Sequence, residues 1–440
     1  MDDSRGLPVS GGDAVCLAAY ESALRQFNTY RGDPIATIDA ALEEQPDFVM
    51  GHALRGHVLI SMWERSVVGD VAAVVDRLDE LCSDSNERER THAVALGQWV
   101  RGEWNAMRAT LDRLLVDHPR DLLALQAGHL ADFYHGDRDN LRGRVARSLP
   151  AWDSDVDGYG FLLGMYAFGL EECSRYGAAE DMGRAALDLV PDDCWAHHAV
   201  THVMEMQTRQ AEGIAFMIER LPHWAQDDNA FAFHNAWHLA LFHLDQLQPA
   251  AALDLFDRSI RPEPSGAQLM LADAVALLWR MHLQDLDVGS RWDEIASAYE
   301  DGNEAGFYAF NDMHAMMAYT ASTRTGAAAS LLRAAEQAST GITTNAMMLR
   351  EVGLPIVRAI DAYGRQQYGA VVDLLMPVRY RAHLFGGSHA QRDIVHRTLL
   401  ESAIRSGDRT LALSLAEERS SLRPNCLFTD EQRHRALAIA

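Results

Sequence analysis

The chain of 440 residues contains no lysine, so all 39 of its basic residues are arginine. A GC-rich coding sequence accounts for the bias, and its chemical consequence is wide. Schiff-base chemistry, a lysine-linked pyridoxal phosphate and the lysine of a phosphate-binding loop are all excluded. Cysteine is also scarce. The five present (Cys16, Cys82, Cys173, Cys194 and Cys426) are odd in number and scattered, which fits neither a disulfide framework nor a CxxC metal site. Positive charge is in deficit, with 63 acidic residues leaving a net charge of −24. On that balance nucleic acid and anionic membrane are not expected as partners, since both need a basic surface. No apolar run approaches the roughly 18–20 residues of a membrane-spanning helix. The acidic start Met1-Asp2-Asp3 leads into no signal-like core, and the expectation is a cytoplasmic protein.

Strand signals and low-complexity linkers are missing too. What remains is helical periodicity from end to end, punctuated by Gln45-Pro46, His118-Pro119, Val190-Pro191 and Arg261-Pro262. Their prolines are 73, 72 and 71 residues apart. Half of that is about 36, close to the roughly 34-residue helix hairpin of tetratricopeptide repeats. The predicted fold is all-α: one domain over 1–440, a right-handed α-solenoid of diverged tetratricopeptide-like hairpins curling around a concave pocket. Segments 302–306 and 339–345 read as loops.

Histidine is concentrated where the pattern is most apolar. Seven of the 19 histidines (197, 198, 202, 223, 234, 238 and 243) fall within one stretch of fewer than fifty residues. On a helix His198, His202 and Glu205 stand at i, i+4 and i+7, sharing a face, and His234 and His238 repeat the i, i+4 spacing. Polar groups at such positions need one another, a metal or a ligand. Imidazole and carboxylate at this spacing on facing helices make a possible divalent-metal site of His198, His202, Glu205, His234 and His238. The same five are candidate acid/base groups, and a buried hydrogen-bonded network is the third reading. His198-x3-His202 lacks the glutamate that follows the first histidine of the zinc-protease motif.

Three further constellations stand out. Asn311, Asp312 and His314 open a helix, where Asn or Asp caps the first turn and an Asp–His pair can orient a base. Arg379, Tyr380, Ser388, Gln391 and Arg392 bracket a glycine turn into another helix, a seat for a carboxylate or phosphate. Ser388 there is more simply an N-cap, since Gly387-Ser388-His389 is no complete nucleophile elbow. His57 and Glu64, at i and i+7, belong to the same predicted face.

The runs His198-Ala199-Val200-Thr201-His202, His234-Asn235-x-Trp237-His238, Phe310-Asn311-Asp312-x-His314, Val352-Gly353-Leu354-Pro355, Arg379-Tyr380-Arg381 and Gly386-Gly387-Ser388-x-Ala390-Gln391-Arg392-Asp393 resemble the tetratricopeptide repeat protein 38 family. The resemblance covers most of the chain and implies an intracellular α-solenoid. It transfers no established reaction.

Two function classes follow. In the first the chain is a small-molecule enzyme of the hydrolase or lyase kind. Its catalytic groups are His198, His202, Glu205, His234, His238, Asp312 and His314. Asn235, Trp237, Asn311, Arg379, Tyr380, Ser388, Gln391 and Arg392 hold an anionic substrate, with a homo-oligomer possible. In the second it is a non-catalytic adaptor that binds a peptide or partner protein in its groove.

Overall fold

The computed structural model describes all 440 residues, as 25 α-helices joined by short turns. No helix is long and apolar enough to cross a membrane.

The hairpins are built by two recurring local devices. Inside a hairpin the first helix ends on a left-handed residue: Ser174, Thr208, Leu247, Asp285, Thr323 and Gln366 have φ between 56° and 59°. The next residue then donates its N–H to the carbonyl five positions back, as in Arg175 to Leu170 (2.9 Å), Arg209 to Met204 (2.8 Å) and Gln248 to His243 (2.9 Å). This Schellman closure satisfies carbonyls the helix leaves without partners and turns the chain in about three residues.

Between hairpins the predicted Xaa-Pro junctions do the work. Gln45, His118 and Val190 end their helices at φ near −130° and ψ of 68–85°. A residue before proline is driven out of the helical region by the proline ring. Arg261 and Arg423, before Pro262 and Pro424, adopt the same conformation. The helix that follows is capped by aspartate in two cases: Asp121 accepts from Ala124 N–H, and Asp193 from Trp195 and Ala196; elsewhere Asn86 completes a capping box with Glu89.

The chain divides into two compact units, Met1–Val200 with Gln226–Phe231, and Thr201–Ala225 with Ala232–Ala440. In the first, Trp63 stacks on Tyr134 (4.4 Å between ring centres) and meets Trp99 and Trp104 edge-on. His57, fully buried, contacts His92 (Nε2 to Nδ1, 2.9 Å), whose Nε2 meets Asp121 at 3.0 Å, and Arg88 reaches the same carboxylate oxygen at 3.0 Å. Burial raises the Asp121 carboxyl, but His92 and Arg88 outweigh it and hold it far below the usual range. His57 is thus part of a buried line of polar contacts.

In the second unit the hairpins close on themselves. Helix His389–Arg405 packs against helix Gln268–His282, with Trp279 Nε1 donating to Thr398 (3.0 Å) and Arg280 to the Ala390 carbonyl (2.6 Å). Arg397 and Arg423 reach back to Asp245 and Glu205, more than 150 residues earlier. The first helices of these hairpins therefore face one another across a filled interior.

Candidate functional site

Helix Cys194–Met206 begins in the first unit and ends in the second, and it carries three histidines, His197, His198 and His202. His198 lies in the first unit within an aromatic cluster, its ring 5.1 Å from Phe168, 4.9 Å from Trp195 and 5.4 Å from Phe231. One turn later His202 and Glu205 enter the second unit. There, helix Ala232–Asp245 brings His238 against both: the His202 and His238 rings are 4.4 Å apart, and His238 Nδ1 is 3.0 Å from Glu205 Oε2. His234, one turn earlier, places Nδ1 2.6 Å from Asp273 of helix Gln268–His282. Trp237 stacks beside His234 at 5.5 Å, with the Arg280 guanidinium 5.4 Å from its indole.

Every one of these groups is out of solvent. His202, Asn235, Trp237, His238 and Asp273 are 0 % exposed, Glu205 and His234 3 %. Burial first, then the neighbouring His234 and Arg280, pushes the His238 imidazole well below its ordinary value, so it is neutral at pH 7. Its Nδ1–H donates to the Glu205 carboxylate. Glu205 also faces Arg423 (Nη1 to Oε1, 3.4 Å). Arg423 lies 4.0 Å from Asp245, Asp245 accepts from Arg397 (2.5 Å), and Arg397 Nε donates to Asp393 (2.7 Å), which in turn pairs with Arg419. Burial pushes Asp393 up, but Arg419, Arg423 and Arg397 outweigh it and hold it well down. The histidine centre is thus one end of a chain of alternating charges linking the opening helices of the unit to its last ones. Isolated buried charges would not survive there; paired and hydrogen-bonded, they do.

The remaining predicted residues go elsewhere. His314, fully buried, points Nδ1 at the Phe310 carbonyl (2.9 Å), and burial lowers it to about 4. Asp312 accepts from Gly306 N–H at 2.9 Å, and with Asn311 it lines a cavity of about 490 Å³ that includes none of the histidines. Arg379 sits over Tyr380 at 4.2 Å, faces Glu418 at 3.4 Å and donates to the Met376 carbonyl at 2.6 Å. Tyr380 is 60 % exposed. Ser388 caps helix His389–Arg405 and forms a capping box with Gln391, while Arg392 donates to the Gly387 carbonyl. The glycine turn is thus held by its own side chains.

Asp245, Asp273, Arg280, Arg397 and Arg423 were not visible as site residues in the sequence. One signal was there to use. Arg280 interrupts the run Val275-Ala276-Leu277-Leu278-Trp279, where a charge must be paired inside.

The sequence matches no protein-family model. Among solved structures the chain is similar to a human IFIT1 dimer with m7Gppp-AAAA (14% identity, 96% of this chain and 99% of that chain, TM-score 0.43). It is also similar to yeast Tom70 (11% identity, 97% and 87% covered, TM-score 0.36) and to the P58(IPK) TPR domain (13% identity, 89% and 98% covered, TM-score 0.22). These are tetratricopeptide-type helical proteins. The partner expectation, a small molecule and no nucleic acid, is corrected by these neighbours, among which the IFIT1 dimer is seen with m7Gppp-AAAA. The physical reason is that net charge sums over the whole surface, whereas a partner reads the local potential.

Proposed function

We propose that this chain is a non-catalytic helical-repeat protein that binds a partner protein, the second of the two classes drawn from the sequence. One observation carries the reading. The ionisable groups that an enzyme would present to a substrate are closed in and engaged with one another, from His238 through Glu205, Arg423 and Asp245 to Arg397 and Asp393. Groups spent on joining helices remote in sequence hold a scaffold together, and a scaffold of hairpins offers its outer helices and turns for recognition.

The test is chemical cross-linking in native extract, followed by reconstitution from purified components. A saturable complex of fixed stoichiometry supports the proposal. Substrate turnover lost in His238→Gln, with an unchanged melting temperature, refutes it.

A second reading has a specific observation behind it. Both His234 and His238 direct Nδ1 at a carboxylate, the outer-shell arrangement that sets an imidazole to offer Nε2 to a metal. Elemental analysis of protein purified without chelator separates the two: near-stoichiometric zinc, iron or manganese favours a metal centre, and trace amounts remove it.

A further inference from the structure

The cavity lined by Asn311 and Asp312 has a composition unlike its surroundings. It is bounded by helices Gln268–His282, Arg291–Gly302, Ala309–Ala321 and Thr325–Ser339, all in the second unit, and holds about 490 Å³. That is within the range of ligand pockets. Glu300, Glu304 and Asp312 bring three carboxylates to its wall, and no arginine or histidine is among its lining residues. Glu300, on the rim, faces Arg324 at 3.1 Å. Glu304 and Asp312 are 8 % and 2 % exposed.

A collection of acids is not by itself a site. The independent observation is Tyr299: only 6 % exposed and lining the cavity, its hydroxyl has no hydrogen-bond partner within the protein. A buried hydroxyl left without a partner is destabilising unless a ligand or water supplies one. The Tyr319 ring stands edge-on to Tyr299 at 6.4 Å, adding an aromatic wall. The walls are also preset. Asp312 Oδ1 accepts from Gly306 N–H, Asn345 Nδ2 donates to the Gly306 carbonyl (2.9 Å), and Asn345 Oδ1 accepts from Ala309 N–H (2.9 Å), so the loop over the cavity is fixed without an occupant. Preset walls lower the ordering cost of binding.

The wall is rich in acceptors and aromatic faces and too wide for a bare ion. Guanidinium matches it: five N–H donors in a planar fork, no acceptor, and a face that stacks on tyrosine. We propose that this cavity is a recognition site for an arginine side chain presented by a basic segment of a partner protein. Glu304 and Asp312 would take the charge and the Tyr299 oxygen would accept an N–H. The site rests on the partner-binding reading above and gives that partner a chemistry.

The experiment is titration calorimetry of the full chain with acetyl-Ser-Gly-Arg-Gly-Ser-amide, its citrulline counterpart and arginine amide. The arginine peptide should bind at least about tenfold tighter than the citrulline peptide, the factor expected for one charge-assisted contact. Asp312→Asn, which keeps the acceptor for Gly306, should weaken it about tenfold, Tyr299→Phe about threefold, and Ala327→Trp should fill the cavity and abolish binding. Equal binding of the two peptides, or binding unaffected by Ala327→Trp in a variant that melts like the parent, overturns the site. Arginine amide binding as tightly as the peptide overturns the partner segment as its source. A partner complex that persists with Ala327→Trp removes the cavity and leaves the partner-binding reading intact, whereas absence of both complex and peptide binding removes both.

Discussion

Removing the Glu205 carboxylate is the sharpest perturbation of the buried network. Its side chain is 3 % exposed and serves two partners, His238 Nδ1 at 3.0 Å and Arg423 Nη1 at 3.4 Å. In Glu205→Ala the Arg423 guanidinium, itself 5 % exposed, loses its nearest carboxylate and keeps Asp245 at 4.0 Å and the Met206 sulfur at 3.3 Å, and the His238 N–H loses its acceptor. Breaking one partner of a buried pair costs about 3–5 kcal/mol. For a unit of this size each kcal/mol moves Tm by about 2–4 °C, so the fall should be roughly 6–20 °C. Adding Arg423→Met removes the stranded charge and should return part of that loss, with a coupling of about 1–3 kcal/mol in the double-mutant cycle. Differential scanning calorimetry of the parent, both single variants and the double variant measures it. A fall of less than about 2 °C in Glu205→Ala, or additive effects of the two changes, would refute the network as a stabilising element.

Three other outcomes follow from local features. Burial pushes the Asp193 carboxyl up to about 7, so the folded state favours its protonated form; that contribution is complete below about pH 4 and is lost as pH rises towards 7, up to about 4 kcal/mol. Asp193→Asn keeps an acceptor for Trp195 and Ala196 and should raise Tm above pH 7. Burial lowers His129 and His135 to about 3 and His314 to about 4, the opposite sign: their contribution is complete above about pH 6.5 and is lost as pH falls through those values. Acid melts should therefore lose Tm steadily below pH 6, more steeply in Asp193→Asn, where the carboxyl that gains a proton is gone; a flat profile contradicts the assignment. Leu247 holds φ at 59° in an exposed hairpin turn, and Leu247→Gly should stabilise by about 0.5–1 kcal/mol in urea unfolding, since leucine pays the left-handed penalty that glycine does not.

The fold was legible because its signals are local. Proline before alternate hairpins, apolar spacing on each helix and the absence of strand alternation all act within a dozen residues, and Gln45, His118, Val190 and Arg261 ended their helices as those signals require. The fifth junction, Arg423-Pro424, escaped because it falls outside the even spacing. Clustering of histidine located the interior of the second unit for the same reason, and His202, Glu205, His234 and His238 do meet there. What they meet was not legible. Arg423 is 218 residues from Glu205 and Arg397 is 152 from Asp245, and no periodicity reports a contact at that separation. Asn311 and Asp312 were visible as helix-opening polar residues; Tyr299, Glu304 and Tyr319, which complete the cavity with them, look like ordinary surface-helix and loop residues until the hairpins pack.

Amide hydrogen exchange of Glu205→Ala tests the central claim most directly, because it reads where the lost ion pairs are felt. If the buried histidine centre ties the opening helices of the second unit to its last ones, exchange should accelerate in helices His389–Arg405 and Arg409–Leu422 as well as in Cys194–Met206 and Ala232–Asp245. Acceleration confined to Cys194–Met206 and Ala232–Asp245, with the two C-terminal helices exchanging as in the parent, would contradict the account.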